Sequence, residues 1–188
     1  MGNPRFLSAP IAEETEFTGP LALTLYVSSS TEDADLFVTL QAFSPDEREV
    51  TFVGSVDPAA PLSQGWLRVS HRKLCPKRSK PWQPWHTHDE KQPTIPGEIV
   101  QVVVEIWPTC IVLPAGYRLA VDIRGRDFSR EGAETNYKGS GPWLHDDGAD
   151  RPQWLAEGTT TIHTGEAYPS MLLAPVIPSA DADSRANR

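Results

Sequence analysis

Proline limits how this 188-residue chain can fold more than any other feature, because it supplies 18 of the residues. That share is about twice the ordinary ~5%. Proline interrupts a helix, since it has no backbone N–H to donate and its ring collides with the preceding turn. Thirteen glycines add further turn positions. The composition therefore disfavours long helices and favours short strands joined by turns.

Apolar and polar residues alternate with a period of two, most clearly in segments 21–27, 36–41, 99–107 and 118–124. Side chains on a strand point alternately to opposite faces, so each segment offers one apolar face to a core. About nine short antiparallel strands of this kind predict an all-β jelly-roll β-sandwich with long Pro/Gly-rich loops. The weaker strand candidates are segments 49–54, 65–74, 110–113, 159–164 and 170–177.

Charge and hydropathy exclude several classes of partner. The formal net charge is -8, and an acidic surface does not displace the counterions of a nucleic acid. No apolar run approaches the ~20 residues that a membrane helix needs. Residues 1–10 also lack the apolar stretch of a signal peptide. We therefore expect a cytoplasmic protein with one domain, residues 1–178, and a mobile polar tail, residues 179–188.

No catalytic centre is evident in the sequence. A hydrolase nucleophile on a sharp strand-to-helix turn needs the pattern G-x-S-x-G, and the positions two away from Ser140 are Lys138 and Pro142. Cys75 and Cys110 are too few for a disulfide framework or a cysteine-rich metal site. We therefore assign no catalytic residue and predict that this chain alone is inactive.

One loop could hold a metal ion. If the backbone there is extended, His86 and His88 share a face, and Asp89 could add a carboxylate ligand. The spacing lacks the paired thiolates of a specific zinc pattern. The favoured interpretation is that these are loop histidines bonded to backbone, so no metal and no cofactor is predicted.

Three tryptophans lie in loop segments: Trp82, Trp85 and Trp143. Flat aromatic rings can bind the apolar face of a sugar, and they can equally cover the edge of a core or a partner surface. The second interpretation is favoured. The three residues are candidates for a ligand or partner surface.

A series of short motifs, spread over the chain up to about residue 178, resembles the C-terminal domain of the Xaa-Pro dipeptidyl-peptidase and cocaine-esterase-like serine hydrolases. Each motif is weak, and their order and number make the set specific. The motifs are FLSAP (6–10), ETEFTGP (14–20), SSS (28–30), DADL (33–36), GWLR (65–68), SHR (70–72), WHTH (85–88), PGE (96–98), LPAGYRL (113–119), YKGSGP (137–142), His163 and PS (169–170).

The resemblance implies a jelly-roll sandwich of the galactose-binding-like type, which follows a separate α/β-hydrolase domain. In that family the Ser-Asp-His triad lies in the upstream domain, so no catalytic residue transfers to this chain. The resemblance thus implies an accessory domain that packs on a catalytic domain, in the same or a separate chain, and shapes its cleft. In the relatives, the sandwich begins some strands before the position of Phe6, so this chain is expected to lack its first strands.

We expect an apolar edge and the loop of residues 75–97 to face this missing partner. The sequence does not decide whether the chain also forms a homo-oligomer. Two other functions compete with the accessory role. One is a free-standing carbohydrate-binding module that uses the loop tryptophans. The other is a small metalloenzyme on His86, His88 and Asp89.

Overall fold

A computed structural model describes residues 3–53, 59–129 and 148–178. Strands dominate these residues, together with one 3-10 turn at Val69–His71 and one helical turn, α1, at Gln153–Ala156. The strands are β1 (Arg5–Leu7), β2 (Thr15–Ser29), β3 (Asp35–Phe43), β4 (Glu49–Val50), β5 (Ser63–Arg68), β6 (Val100–Leu113), β7 (Arg118–Arg124), β8 (Thr160–His163) and β9 (Met171–Leu173).

All pairings are antiparallel, and the strands form one nine-stranded sheet in the order β1-β7-β3-β5-β6-β2-β8. Strand β4 pairs with β3, and β9 pairs with β2. The sheet curls into a half-barrel around an apolar core to which β2, β3, β5, β6 and β7 contribute. The predicted all-β sandwich class is confirmed, while the galactose-binding-like label stays a prediction.

The alternating segments place their apolar residues inward, as predicted. Leu21 and Leu25 of β2 and Val104 of β6 are almost inaccessible to solvent. Strand β3 is buried on both faces, because Thr39 and Gln41 on its second face are also covered. The period-two pattern therefore located the core, but it did not reveal that β3 has no solvent-facing side.

Strand β6 is longer than predicted, because residues 110–113 continue it instead of forming a separate strand. Gly19 pairs with Thr109 and Leu21 with Ile106, so two residues of β6 lie opposite one residue of β2. This is a β-bulge, and it coincides with Pro20 and Pro108, which have no N–H to give to the ladder. In the sequence, a proline such as Pro108 suggests that a strand ends. In the structure, the bulge accommodates both prolines, and β2 and β6 stay paired on either side of it.

Other strand ends also differ from the prediction. The strand expected over residues 65–74 stops at Arg68, where the Asp33 carboxylate accepts the Ser70 N–H and the chain turns. The strands expected over 49–54 and 170–177 shorten to β4 and β9. Gly54 and the tail of residues 179–188 lie outside the described residues.

Strand β1 was not predicted, because three residues carry no readable period. A bidentate ion pair holds it, in which Arg5 Nε lies 2.6 Å from Asp122 Oδ1 and Nη2 lies 2.9 Å from Oδ2. Burial alone would raise the pKa of Asp122, but the hydrogen bonds and charges of Arg5 and Arg124 together outweigh it and leave this pKa below its ordinary value.

Gly65 is where β5 meets β6, and we expect Gly65→Ala to destabilise the fold strongly. Gly65 pairs with Ile106, and a Cβ at this position would overlap the backbone carbonyl oxygen of Glu105. Backbone cannot move aside as a flexible side chain can, so the free energy of unfolding should fall by about 2–3 kcal/mol. Urea denaturation measures it. In the control Gly125→Ala, the added Cβ meets nothing within 4 Å. Equal midpoints for the two variants would contradict this expectation.

Candidate functional site

An open cleft of about 400 Å³ lies along β3 and β5 and is lined by charged and aromatic side chains. Residues from β3, β5 and β6 form one side, and a loop after the 3-10 turn forms another. Its polar and aromatic lining comprises Asp35, Phe37, Trp66, Arg68, His71, His86, His88, Glu105, Asp150 and Arg151.

Asp35 is the charged centre of one end of this cleft. Its Oδ1 accepts a hydrogen bond from Arg68 Nε at 2.8 Å, and its Oδ2 accepts one from Arg151 Nε at 2.8 Å. The hydrogen bond to Asp35 raises the pKa of Arg68 above its ordinary value. The Arg151 guanidinium also lies over the Phe37 ring, 5.0 Å from its centre. Both arginines are paired with the Asp35 carboxylate. We therefore interpret this end of the cleft as a structural ion-pair network.

Three histidines lie at the other end, on two arms of an irregular hairpin. Leu74 bridges to His86, and the Thr87 N–H donates to the Lys73 carbonyl. This pairing sets His71 beside His88, with their Nδ1 atoms 3.1 Å apart. His86 is further away, with 6.0 Å between its ring centre and that of His88. Sequence reasoning missed His71, because a separation of 17 residues carries no signal without the hairpin.

The structure brings together only part of the candidate metal set of His86, His88 and Asp89, for which the sequence favoured no metal. Asp89 accepts a hydrogen bond from the Thr87 hydroxyl and forms an ion pair with Lys73. These two contacts, Thr87 first, lower the pKa of Asp89. Within the described residues, no group of three or more His, Cys, Asp or Glu side chains is already arranged to hold a metal ion.

His86 is the least solvated of the three histidines. Its Nε2 atom is buried and has no hydrogen-bond partner. Burial, and then the neighbouring His88, lower the pKa of His86 below its ordinary value. The ring is therefore held in its neutral form at physiological pH, with one polar atom that the fold leaves unsatisfied.

Two of the three loop tryptophans lie in the described residues, and their role as a ligand or partner surface stays a prediction. Trp82 and Trp85 are both exposed, but the Arg78 guanidinium stacks on the Trp85 ring, 3.3 Å from its centre. One face of Trp85 is therefore already occupied by a cation–π contact. Trp143 lies outside the described residues.

A serine–histidine pair that the sequence did not suggest lies on β2 and β8. Ser28 Oγ and His163 Nε2 are 2.9 Å apart, and Tyr168 packs beside the His163 ring. No carboxylate is hydrogen-bonded to that ring within residues 3–53, 59–129 and 148–178. In a serine hydrolase, a carboxylate orients the histidine that acts as the base. These residues supply no such carboxylate, so Ser28 and His163 do not form a triad with any of them.

Several exposed apolar side chains lie on the outward side of β6, β2 and β9. Residues paired across antiparallel strands share a face, so Met171 lies with Val103 beside Thr24, and Ile177 lies with Val112 beside Glu16. Trp107 continues this side of β6 and packs edge-on against Trp66, 5.1 Å between ring centres. We define the outer face as Val103, Trp107, Val112, Met171, Leu173 and Ile177.

The outer face is unusual in the size of its exposed side chains. Trp107 is 64% exposed, Met171 59% and Val112 51%. Single exposed apolar residues are ordinary on a protein surface, whereas several large ones on one side of a sheet favour an interaction surface. This surface has the composition of an interface core, in which aromatic residues and methionine are enriched.

Comparison with known proteins identifies a matching family and a similar solved structure. A family model described as "X-Pro dipeptidyl-peptidase C-terminal non-catalytic domain" matches residues 2–173. A CocE/NonD family hydrolase from Staphylococcus aureus superposes with a TM-score of 0.83 at 27% identity, covering 94% of this chain and 30% of that one. This match supports the predicted resemblance as well as the fold.

Two further relatives are matched by sequence. A Mycobacterium bovis protein named as a serine esterase is 30% identical over 66% of this chain and 19% of its own length. The cocaine esterase of a Rhodococcus species is 23% identical over 89% of this chain and 24% of its own length. The chain thus spans less than a third of the proteins it matches. No helix in the described part is long and apolar enough to cross a membrane.

We expect Asp35→Asn to cost about 3 kcal/mol of unfolding free energy, because it removes the poorly solvated carboxylate charge that Arg68 and Arg151 share. The side chains of Asp35 and Arg151 are only 9% and 11% exposed. The matched control is Asp46→Asn, which breaks the solvent-exposed ion pair with Arg48 and should cost under about 1 kcal/mol. Guanidinium chloride unfolding compares them. Similar losses in both variants would show that the Asp35 network does not anchor the cleft.

Proposed function

This chain belongs to the family of X-Pro dipeptidyl-peptidase C-terminal non-catalytic domains, and from that premise we propose that it is the accessory domain of an α/β-hydrolase-type serine hydrolase. In this proposal it packs on the catalytic domain through the outer face and shapes the entrance to the catalytic cleft. The parent enzyme supplies the activated serine, which attacks an ester or peptide carbonyl and forms an acyl-enzyme.

The outer face is the observation that carries this proposal. Burying apolar surface contributes roughly 25 cal/mol per Å². Large exposed side chains such as Trp107 and Met171 therefore have much apolar area to bury in an interface. Tryptophan is among the residues most enriched at interface hot spots, and Trp107 is 64% exposed. Gln101 lies on the same side of β6, beyond Val103, and would supply part of a polar rim, while Glu105 lies between Val103 and Trp107.

A catalytic domain is the occupant that the comparisons favour. The relatives are hydrolases or are named as esterases, and this chain covers between 19% and 30% of their lengths. Most of each relative therefore lies outside the region matched by this chain. A second copy of this chain is the competing occupant, and the test below separates the two.

The chemistry of this chain also fits an accessory role. Ser28 and His163 are in contact, but the described residues give His163 no carboxylate partner. The carbohydrate-binding alternative rests on Trp82 and Trp85, and the Arg78 guanidinium already covers one face of Trp85. That contact favours an accessory role over a sugar platform on these two rings.

The purified 188-residue chain should hydrolyse neither a p-nitrophenyl ester nor an Xaa-Pro-p-nitroanilide, because the residues that the structure describes hold no complete triad. It should also remain unlabelled by a serine-reactive fluorophosphonate. Absorbance at the nitrophenol or nitroaniline band and in-gel fluorescence provide the two readouts. Phosphonate-sensitive turnover that disappears in Ser28→Ala would overturn the proposal and identify the Ser28–His163 pair as a catalytic centre.

Docking through the outer face predicts that Trp107→Glu weakens binding to the parent α/β-hydrolase domain by at least about 30-fold, because an interface hot spot is worth 2 kcal/mol or more. Isothermal titration calorimetry measures the affinity. Trp154→Glu on α1 is the matched control, since Trp154 is also exposed, at 50%, and lies off the outer face. The control should bind as the unmodified chain does.

Two results would contradict docking by the outer face. One is unchanged affinity for the hydrolase domain in Trp107→Glu. The other is a concentration-dependent dimer of this chain alone that Trp107→Glu dissociates, which would assign the outer face to a second copy. Sedimentation velocity distinguishes this second result from hydrolase binding.

A further inference from the structure

Glu105 places a carboxylate among the apolar residues of the outer face. Its neighbours on the outward side of β6 are Val103 and Trp107. Across the sheet it pairs with Ala22 of β2, which in turn pairs with Leu173 of β9. Apolar residues therefore flank this carboxylate both along its own strand and on the two strands beside it.

The Glu105 side chain has no partner of opposite charge in the described chain. It forms no ion pair or hydrogen bond within residues 3–53, 59–129 and 148–178. Arg68 and Arg151 line the same cleft as Glu105, but the Asp35 carboxylate accepts a hydrogen bond from each of them. In the free chain, the charge of the exposed Glu105 is therefore solvated by water.

The strands of the outer face carry no basic residue. Strands β2, β6 and β9 contain no lysine or arginine, and their carboxylates are Glu16 and Glu105. Partners in a complex present complementary potentials, so a surface that binds here is expected to be basic. A symmetric dimer sets the same patch of both copies face to face, which would oppose carboxylate to carboxylate. Charge therefore favours a catalytic domain over a second copy as the occupant.

The proposed docking would take water away from this carboxylate. Glu105 and Trp107 lie two residues apart on one side of a strand, a distance of about 7 Å. A surface that covers the Trp107 ring therefore covers Glu105 as well. A carboxylate that loses its water without gaining a cation is strongly destabilising. The docked partner consequently has to bring a cation to this point.

The neighbouring tryptophan selects the kind of cation. Trp107 is 64% exposed, and Trp66 packs edge-on against it with 5.1 Å between ring centres. A planar guanidinium can bond to a carboxylate and stack on an aromatic face, whereas an ammonium is compact and strongly hydrated. Arginine is also enriched at interfaces, where lysine is depleted. Arg78 and Trp85 already make such a stack within this chain.

We propose that Glu105 and Trp107 form a docking site for an arginine side chain of the catalytic domain. The guanidinium bonds to the Glu105 carboxylate and lies against the Trp107 ring. This inference rests on the proposed function, because it gives the chemistry of the partner that binds the outer face. It adds a charged contact by which this domain selects one catalytic domain over others.

The test is calorimetric titration of the full chain with the parent α/β-hydrolase domain. Glu105→Gln should lower the affinity at least about tenfold, because it leaves a buried guanidinium without its carboxylate. Glu105→Lys should lower it further, because two cations then meet. The matched control is Glu157→Gln, which removes the same charge from an exposed position after α1 and should bind as the unmodified chain does. Circular dichroism confirms that each variant is folded.

Chemical modification of the complex identifies the cation. Phenylglyoxal modifies arginine, and we expect one arginine of the catalytic domain to be protected in the complex and to react in the free domain, as read by mass spectrometry. A water-soluble carbodiimide joins a carboxylate to a lysine amine as an amide, with loss of water to the reagent. A cross-link from Glu105 to a lysine of the catalytic domain would overturn the arginine site.

The variants distinguish failure of this site from failure of the docking itself. Weak binding by Trp107→Glu, together with equal affinity in Glu105→Gln and Glu157→Gln, would overturn the arginine site and leave docking by the outer face intact. Unchanged affinity in Trp107→Glu would contradict the docking and remove the arginine site with it.

Discussion

The antiparallel ladder between β2 and β6 is the interaction on which the rest of the structure depends. It pairs Thr15 with Leu113 at one end and Val27 with Val100 at the other, past a bulge at Gly19/Leu21. Because successive residues face opposite sides, one ladder buries residues such as Leu25 in the core and turns others, such as Trp107, outward. The register of this ladder therefore determines both which residues enter the core and which residues form the outer face. A shift by one residue would change both sets.

The cleft and the outer face are neighbouring but separate features. Trp66 lines the cleft and packs edge-on against Trp107, so the two surfaces meet at this aromatic contact. The ion pairs of Asp35 hold one end of the cleft, and the histidine loop forms the other. The proposed docking uses the outer face and leaves the ion pairs of Asp35 within this domain.

The sequence predicted the long strands well and the long-range contacts poorly. Strands β2, β3, β6 and β7 each carry enough alternating residues to display their period, whereas β1 depends on a salt bridge between Arg5 and Asp122, 117 residues apart. The continuity of β6 was hidden by the two opposed prolines. Asp89 looked like a metal ligand because it follows His88, but a nearby lysine neutralises it, and His71 could be found only from the fold.

Hydroxyl-radical footprinting of this chain, free and in complex with the parent α/β-hydrolase domain, tests the central claim most directly. It reads the solvent exposure of individual side chains, and tryptophan, methionine and phenylalanine all react readily. Docking by the outer face predicts that Trp107 and Met171 become protected in the complex, while Phe6 on β1 keeps its reactivity. A complex in which Trp107 and Met171 react as they do in the free chain would contradict it.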